Sequence, residues 1–379
     1  MTDITFVDVT LRDGNHTYKH QFTSEIVSKT AAALDAAGVD IIEVGHGDGL
    51  GGSTVHIGRS PEPAINLIKA ACDSVTQARI AVLLLPGFGI FRDLEECKEV
   101  GVSVARIASH STEADTTKQH IRKAADLGMM TVGYLISAGM ADPETLADEA
   151  RKLESYGARY VNLAESQGHL VPTEVAERVR AVRNAVSIPI GFHPHNNLGL
   201  ANGNILAAID EGATYIDGSL KGFGGGAGNA QTEATIAALK RVGHTVKTDL
   251  PGILDAAQVF ADLVAPQPMP VIDNDSIMMG YANVYGGYVL PVKRAAEKYG
   301  IDARALIMKL GERSVVAGQE DAVEQEAQAL AAAQAKAVVV SAFRVGKPSF
   351  RQKRPIWRSE GRRGGRNEGT RFQEVYQSI

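Results

Sequence analysis

Cysteine is nearly absent from this 379-residue chain: only Cys72 and Cys97 occur, neither with a Cys or His neighbour at metal-ligand spacing. That argues against a disulfide framework and a thiolate metal site, and leaves both as reduced packing residues. Long apolar runs are missing too. No stretch approaches the roughly 18 residues of a membrane-spanning helix. The chain opens on the strand-like Ile4-Thr5-Phe6-Val7 without the basic start and apolar stretch of a signal peptide, so a cytoplasmic protein with no membrane partner is expected. Positive charge is not in excess either. A net charge of -5 gives no general attraction for nucleic acid or acidic lipid. Basic residues gather only near the C-terminus, where ten Lys/Arg face two Asp/Glu between Arg344 and Arg371. Such a run reads as a disordered tail or a segment docking on a neighbour, not as a nucleic-acid site.

What is present is an ordinary globular composition, 44% hydrophobic and 22% charged, enough for a large core. Eight short β-branched or apolar runs alternate with helical patterns: Ile4 to Val9, Val39 to Gly45, Ala78 to Leu85, Val104 to Ala108, Met130 to Ile136, Tyr160 to Ala164, Pro189 to Phe192 and Tyr215 to Ser219. Segments such as Ser24 to Ala37 and Pro143 to Tyr156 carry apolar residues at helical spacing. Gly38, Gly101, Gly128, Gly157 and Gly212 each sit where a left-handed helix stop would precede a strand. This alternation predicts a (β/α)8 TIM barrel over residues 1–265. The break Pro266-Gln267-Pro268-Met269-Pro270 predicts a turn into a small helical domain, residues 266–340, followed by the basic tail, residues 341–379.

A barrel of this kind places chemistry at the C-terminal ends of its strands. Those positions are polar here: Asp8, Arg12, Asp13 and His16 after the first run, His46 and Asp48 after the second, Ser109 and His110 after the fourth. Glu165 and Ser166 follow the sixth, His193 and His195 the seventh, and Asp217, Ser219 and Lys221 the eighth. His193-Pro194-His195 at a strand end turns two imidazoles to one face, a metal-ligand geometry or a hydrogen-bonded pair. With Asp13 they form a mixed oxygen and nitrogen set suited to Mn2+ or Mg2+, with Zn2+ or Co2+ as alternatives. A cation with open positions can bind a 2-oxo acid and favour a carbanion beside its ketone. Arg12 offers fixed positive charge to the developing oxyanion, and His16 a base near neutral pH. Alternatively, Arg12 and Asp13 are an ion pair closing the barrel and His16 a turn residue. The loop Gly222-Phe223-Gly224-Gly225-Gly226-Ala227-Gly228 follows the last strand with no Lys-Ser/Thr after it, which excludes a P-loop, so no organic cofactor is called for.

Asp8-Val9-Thr10-Leu11-Arg12-Asp13-Gly14 resembles the signature of the DRE-TIM metallolyase superfamily. Further motifs follow in order: Glu43 to Leu50, Leu83-Leu84-Leu85-Pro86-Gly87, Thr112-Glu113-Ala114-Asp115, Gly226-Ala227-Gly228-Asn229-Ala230 and Gly318-Gln319-Glu320-Asp321. Together they resemble above all the 4-hydroxy-2-oxovalerate aldolases. The resemblance implies a divalent-metal-dependent class II pyruvate aldolase that cleaves a 4-hydroxy-2-oxo acid to pyruvate and an aldehyde, or runs the reverse condensation. It implies that Asp13, His193 and His195 bind the metal, Mn2+ first and Mg2+ or Co2+ as alternatives. It further implies that Arg12 stabilises the pyruvate enolate, His16 is the acid/base, Tyr285 orients the hydroxyl from the helical domain, and Ser166 contacts substrate. Tyr285 read without the family is a helix-packing aromatic, and Leu83 and Leu85 either wall the aldehyde side or fill the barrel. An oligomer and an acylating acetaldehyde dehydrogenase partner are implied as well.

Two departures stand near the pocket: Glu165-Ser166-Gln167-Gly168 where the family has Asp-Ser-Gly-Gly, and Asn196 where it has His. They leave the identity of the aldehyde open. The competing readings are a Claisen-type acyl-CoA synthase or lyase and a non-catalytic scaffold. The lyase expects a catalytic cysteine near the end of the barrel, where neither Cys72 nor Cys97 lies.

Overall fold

The computed structural model describes residues 2–345, with side chains as far as Lys336. Its eight main strands are β1 (Asp3–Asp8), β2 (Ile41–Glu43), β3 (Arg79–Leu84), β4 (Val104–His110), β5 (Met130–Ile136), β6 (Tyr160–Glu165), β7 (Ile190–Pro194) and β8 (Ala213–Gly218). Each pairs in parallel with its sequence neighbours. β8 returns to β1 through Thr5 opposite Tyr215 and Val7 opposite Asp217, and β1 pairs with β2 through Val7 opposite Ile41, so the sheet closes. The expected barrel is the observed one. Closure leaves the main strands no free edge and sends alternate side chains inward and outward.

A short ninth strand, β9 (Thr245–Val246), pairs with Asp3 and Ile4. Nothing in its composition marks it, because a two-residue pairing carries no periodicity. The helices follow their apolar spacing: Ser24–Ala36 buries Ile26, Val27, Ala31 and Leu34, and its cap Thr23 accepts from the Ile26 N–H. Helix Pro143–Tyr156 starts on the Asp142 cap and ends on Gly157, whose φ of 106° only glycine adopts without strain. Each apolar side chain buried between helix and strand contributes about 1.5–3 kcal/mol, and this shell is the main core.

Inside the barrel the layers differ in chemistry. The lower layer is apolar, with Val7, Val9, Ile41, Ala81, Val104, Val132 and Tyr215. Glu43, Arg106, Asn162 and Asp217 are buried in the interior beside it. Leu83, Ala108, Tyr134 and Ala164 form a third, small apolar cluster. Strand β4 runs through all three, Val104, Arg106 and Ala108 sharing one face.

After helix Leu250–Val264 the helices Asn274–Tyr281, Val289–Tyr299, Ala303–Glu312 and Glu320–Val345 follow. They have their own core, including Met279, Val284, Tyr288, Leu306, Leu310 and Val323. Contacts divide the chain into residues 1–332 and 333–379, and the site lies wholly in the first unit. Of the expected tail, residues 346–379 lie outside the described part. No described helix is long and apolar enough to cross a membrane.

Candidate active site

The turn after β1 is set by backbone bonds from the Arg12 and Asp13 N–H groups to the Val9 carbonyl, and it aims both side chains into the barrel mouth. Asp13 Oδ1 accepts from Arg12 Nη1 at 2.7 Å, and Oδ2 from Asn229 Nδ2 at 2.7 Å. Arg12 Nε donates to Glu43 Oε2 at 2.7 Å. Burial opposes both charges, but the pairs outweigh it: Glu43 and Asp13 hold Arg12 firmly protonated, and Arg12 with His195, His16 and His193 keeps the Asp13 carboxyl far below the carboxylate range.

On β7, His193 Nδ1 lies 2.9 Å from Asp217 Oδ2, and just after the strand His195 Nδ1 lies 3.3 Å from the Gly225 carbonyl. Acceptors at both Nδ1 atoms favour a proton there, which turns both Nε2 atoms to the cavity. Those two Nε2 atoms are 3.4 Å apart, and His195 Nε2 is 4.0 Å from Asp13 Oδ2. Burial holds His195 neutral, pushing it down to about 4. One carboxylate oxygen and two imidazole nitrogens, all within 4.8 Å of one another, are a donor set a divalent cation fits.

Two glycines make this approach feasible. A side chain at Gly224 would put its Cβ 2.5 Å from Asn229 Nδ2 and 2.7 Å from Asp13 Oδ2, and one at Gly47 would sit 2.7 Å from the His16 ring. His16 lies edge-on to His20 with centroids 5.1 Å apart, and His20 stacks on His46 at 3.8 Å. Burial, with His16 and His46 adding to it, pushes His20 down to about 3.

All seven side chains singled out from the sequence, Arg12, Asp13, His16, Ser166, His193, His195 and Tyr285, line one cavity of about 200 Å3. Leu83, Leu85, Ile136 and Ala164 line it too and supply apolar surface. Tyr285 comes from the segment between helix Asn274–Tyr281 and helix Val289–Tyr299. Burial, with Asp48 and Asp13 nearby, raises its phenol well above the ordinary value. Ser166 Oγ accepts from the Ser137 N–H at 3.0 Å, and Gln167 Nε2 donates to Ser137 Oγ at 3.1 Å.

Of the other expected polar positions Asp48 lines the cavity as well, and the rest do not. Alternation turns Asp8 and Glu165 away from it: Asp8 Oδ2 accepts from Thr232 Oγ1, and Glu165 Oε1 from the His169 N–H. Burial pushes Glu165 up to about 7. His46 engages the Gly58 carbonyl, His110 the Thr112 hydroxyl, and Lys221 lies by Glu233. Asn196 accepts from the Ala201 N–H at a helix start, while the next residue, Asn197, lines the cavity. Tyr134 as a lining residue and Asn229 as a partner of Asp13 are not among the positions expected from the sequence. Strand alternation carried a signal for the first.

The HMGL-like family pattern matches residues 3–260, and a DmpG-like communication domain matches residues 270–332. The chain belongs to the HMGL-like family. A 4-hydroxy-2-oxovalerate aldolase from Brevibacillus brevis is 48% identical over 87% of this chain and 96% of its own length. Another from Moorella thermoacetica is 45% identical over 86% and 97%. This member of the HMGL-like family is accordingly an enzyme, a carbon–carbon lyase of aldolase type. The carboxyl transferase domain of Rhizobium etli pyruvate carboxylase superposes with a TM-score of 0.71 at 15% identity, over 87% of this chain and 60% of that one, a likeness of fold alone.

Proposed function

We propose that this chain is a divalent-metal-dependent aldolase that cleaves a 4-hydroxy-2-oxo acid, such as 4-hydroxy-2-oxovalerate, to pyruvate and an aldehyde, and that it can run the reverse condensation. The observation that carries this reading is the convergence of Asp13, His193 and His195 beside Arg12 and His16 in one cavity with apolar surface. Asp13 Oδ2 and the two Nε2 atoms would hold the cation, Mn2+ first and Mg2+ or Co2+ as alternatives. When bound, the cation supplies Lewis acidity to a 2-oxo acid.

The remaining roles belong to the protein. His16 takes the proton of the substrate's 4-hydroxyl as the bond between C3 and C4 breaks. The bond electrons pass to the C3 side as the enolate of pyruvate, the carbinol carbon leaves as the aldehyde, and a proton delivered to C3 then gives pyruvate and balances the one His16 took. Arg12 is pinned by Glu43 and Asp13, so its guanidinium meets the developing enolate charge without reorganising. Tyr285 orients the hydroxyl, Ser166 contacts the substrate, and Leu83 and Leu85 wall the aldehyde side. No cysteine lines the cavity, and burial pushes Cys72 up to about 11 and Cys97 to about 12, which disfavours a lyase using a thiol.

Residues 266–340 act in this reading as a helical domain bringing Tyr285 to the mouth, and the communication-domain match supports docking of an acylating aldehyde dehydrogenase within an oligomer. The test is condensation of pyruvate or 2-oxobutyrate with an aldehyde panel and Mn2+. His195→Ala should deplete bound metal and activity together. His16→Ala should keep its metal and lose on the order of a hundredfold or more in rate. Full activity of a chelator-treated His195→Ala protein would sink the metal mechanism.

A further inference from the structure

Under the cavity lies a charged side chain that the proposed chemistry does not use. Arg106 sits at the middle of β4 with no solvent exposure, inside the barrel. A buried guanidinium is costly, and a well-packed apolar residue of similar volume is often as stable or more so. Its neighbours on the same strand face, Val104 and Ala108, show that apolar residues suit the interior. Packing alone therefore does not account for an arginine here.

Its contacts do. Arg106 Nη2 donates to Asp217 Oδ2, and Nη1 lies 3.1 Å from Glu43 Oε2. Asp217 Oδ2 is the atom 2.9 Å from His193 Nδ1, and Glu43 Oε2 is the atom that accepts from Arg12 Nε. An unbroken run of polar contacts thus leads from Asp13 through Arg12, Glu43, Arg106 and Asp217 to His193. It begins and ends on two of the three donors that face one another across the cavity. The aromatic face of Tyr134, a cavity-lining residue, lies 4.6 Å from the Arg106 guanidinium carbon, so the same group also touches the cavity's wall.

We propose that Arg106 is a positioning residue for the metal-facing donors, tying the Asp13 side of the site to the His193 side through the buried carboxylates Glu43 and Asp217. The inference rests on the reading that Asp13, His193 and His195 hold a divalent cation. The guanidinium hydrogen-bonds Asp217 through Nη2 and stands in ion-pair range of Glu43 through Nη1, two separate nitrogens that a lysine does not offer. Replacing it should loosen the donors and free His193 to turn or change tautomer, with an effect on metal capture separable from folding.

The test uses the full-length protein stripped of metal and titrated with Mn2+, free ion being read by electron paramagnetic resonance. Arg106→Lys, Arg106→Gln and Asp217→Asn are compared with wild type, and the melting temperature of each metal-free protein is measured in parallel. Arg106→Lys and Asp217→Asn should weaken Mn2+ binding by about tenfold or more, with Arg106→Gln weaker than Arg106→Lys. A purely structural arginine would lower the melting temperature and leave Mn2+ affinity unchanged. If the Arg106 variants do not fold, Asp217→Asn decides alone, since it keeps the side-chain shape and Arg106 keeps Glu43. Folded variants that bind Mn2+ within twofold of a Mn2+-binding wild type would overturn the inference by itself. Wild-type protein that takes up no Mn2+ would overturn the cation reading and the inference together.

Discussion

At the scale of single residues, burial keeps two imidazoles neutral, His195 in the cavity and His20 beside His16. His195 is held near 4 and His20 near 3, chiefly by burial, while an unfolded chain protonates both near 6.5. Between those values the unfolded state binds more protons than the folded one, so stability rises with pH across that window and is lost as pH falls below about 6.5. Asp13 acts in the same direction at lower pH, since its depressed carboxyl contributes stability that disappears on acidification. The metal-free protein should therefore melt at progressively lower temperature from pH 7 to pH 4, and His20→Gln should flatten that slope. An unchanged slope in the variant would mean that other groups carry the acid sensitivity. Residue spacing made much of this site readable: the H-x-H at a strand end and the carboxylate after the first strand both line the cavity. Asn229 was not readable as a partner, because its bond to Asp13 joins positions 216 residues apart.

At the scale of elements, the glycine-rich loop after β8 serves as a seat for the donors. Gly225 gives its carbonyl to His195 and its N–H to Asp13 Oδ2 at 3.4 Å, while the Gly224 carbonyl accepts from Thr17 Oγ1. Gly224→Ala should push Asn229 and Asp13 apart and lower Mn2+ affinity, with little change in melting temperature because the barrel core is untouched. Equal affinity in wild type and variant would show that the loop yields freely. The eight barrel strands were legible from their apolar runs and five helix stops from their glycines, whereas helices Ala64–Ser74 and Pro172–Ala185 end on Val75 and Val186 with no turn residue to mark them. The inward or outward sense of polar residues at strand ends was not. Alternation resolves it only once the register is known, which is how Glu165 and Asp8 came to point away from the cavity while Ser166 points into it.

At the scale of the whole molecule, Asp13 follows β1 while His193 lies on β7 and His195 just after it, and β8 is the one strand between β1 and β7 on the short side of the ring. On the proposed ligand set, a chain whose first strand has not yet met its eighth carries one donor at one end, two at the other, and a whole chelate nowhere. Metal capture is then a stopwatch for ring closure: in stopped-flow refolding with Mn2+ present, uptake should coincide with the last phase that buries β1, and earlier phases should leave the ion in solution. Uptake in the dead time would mean that the donors assemble before the barrel does. A cell short of the ion would, on this view, accumulate closed barrels awaiting a cofactor, whereas a lesion in β8 would leave chains that cannot hold one at any concentration.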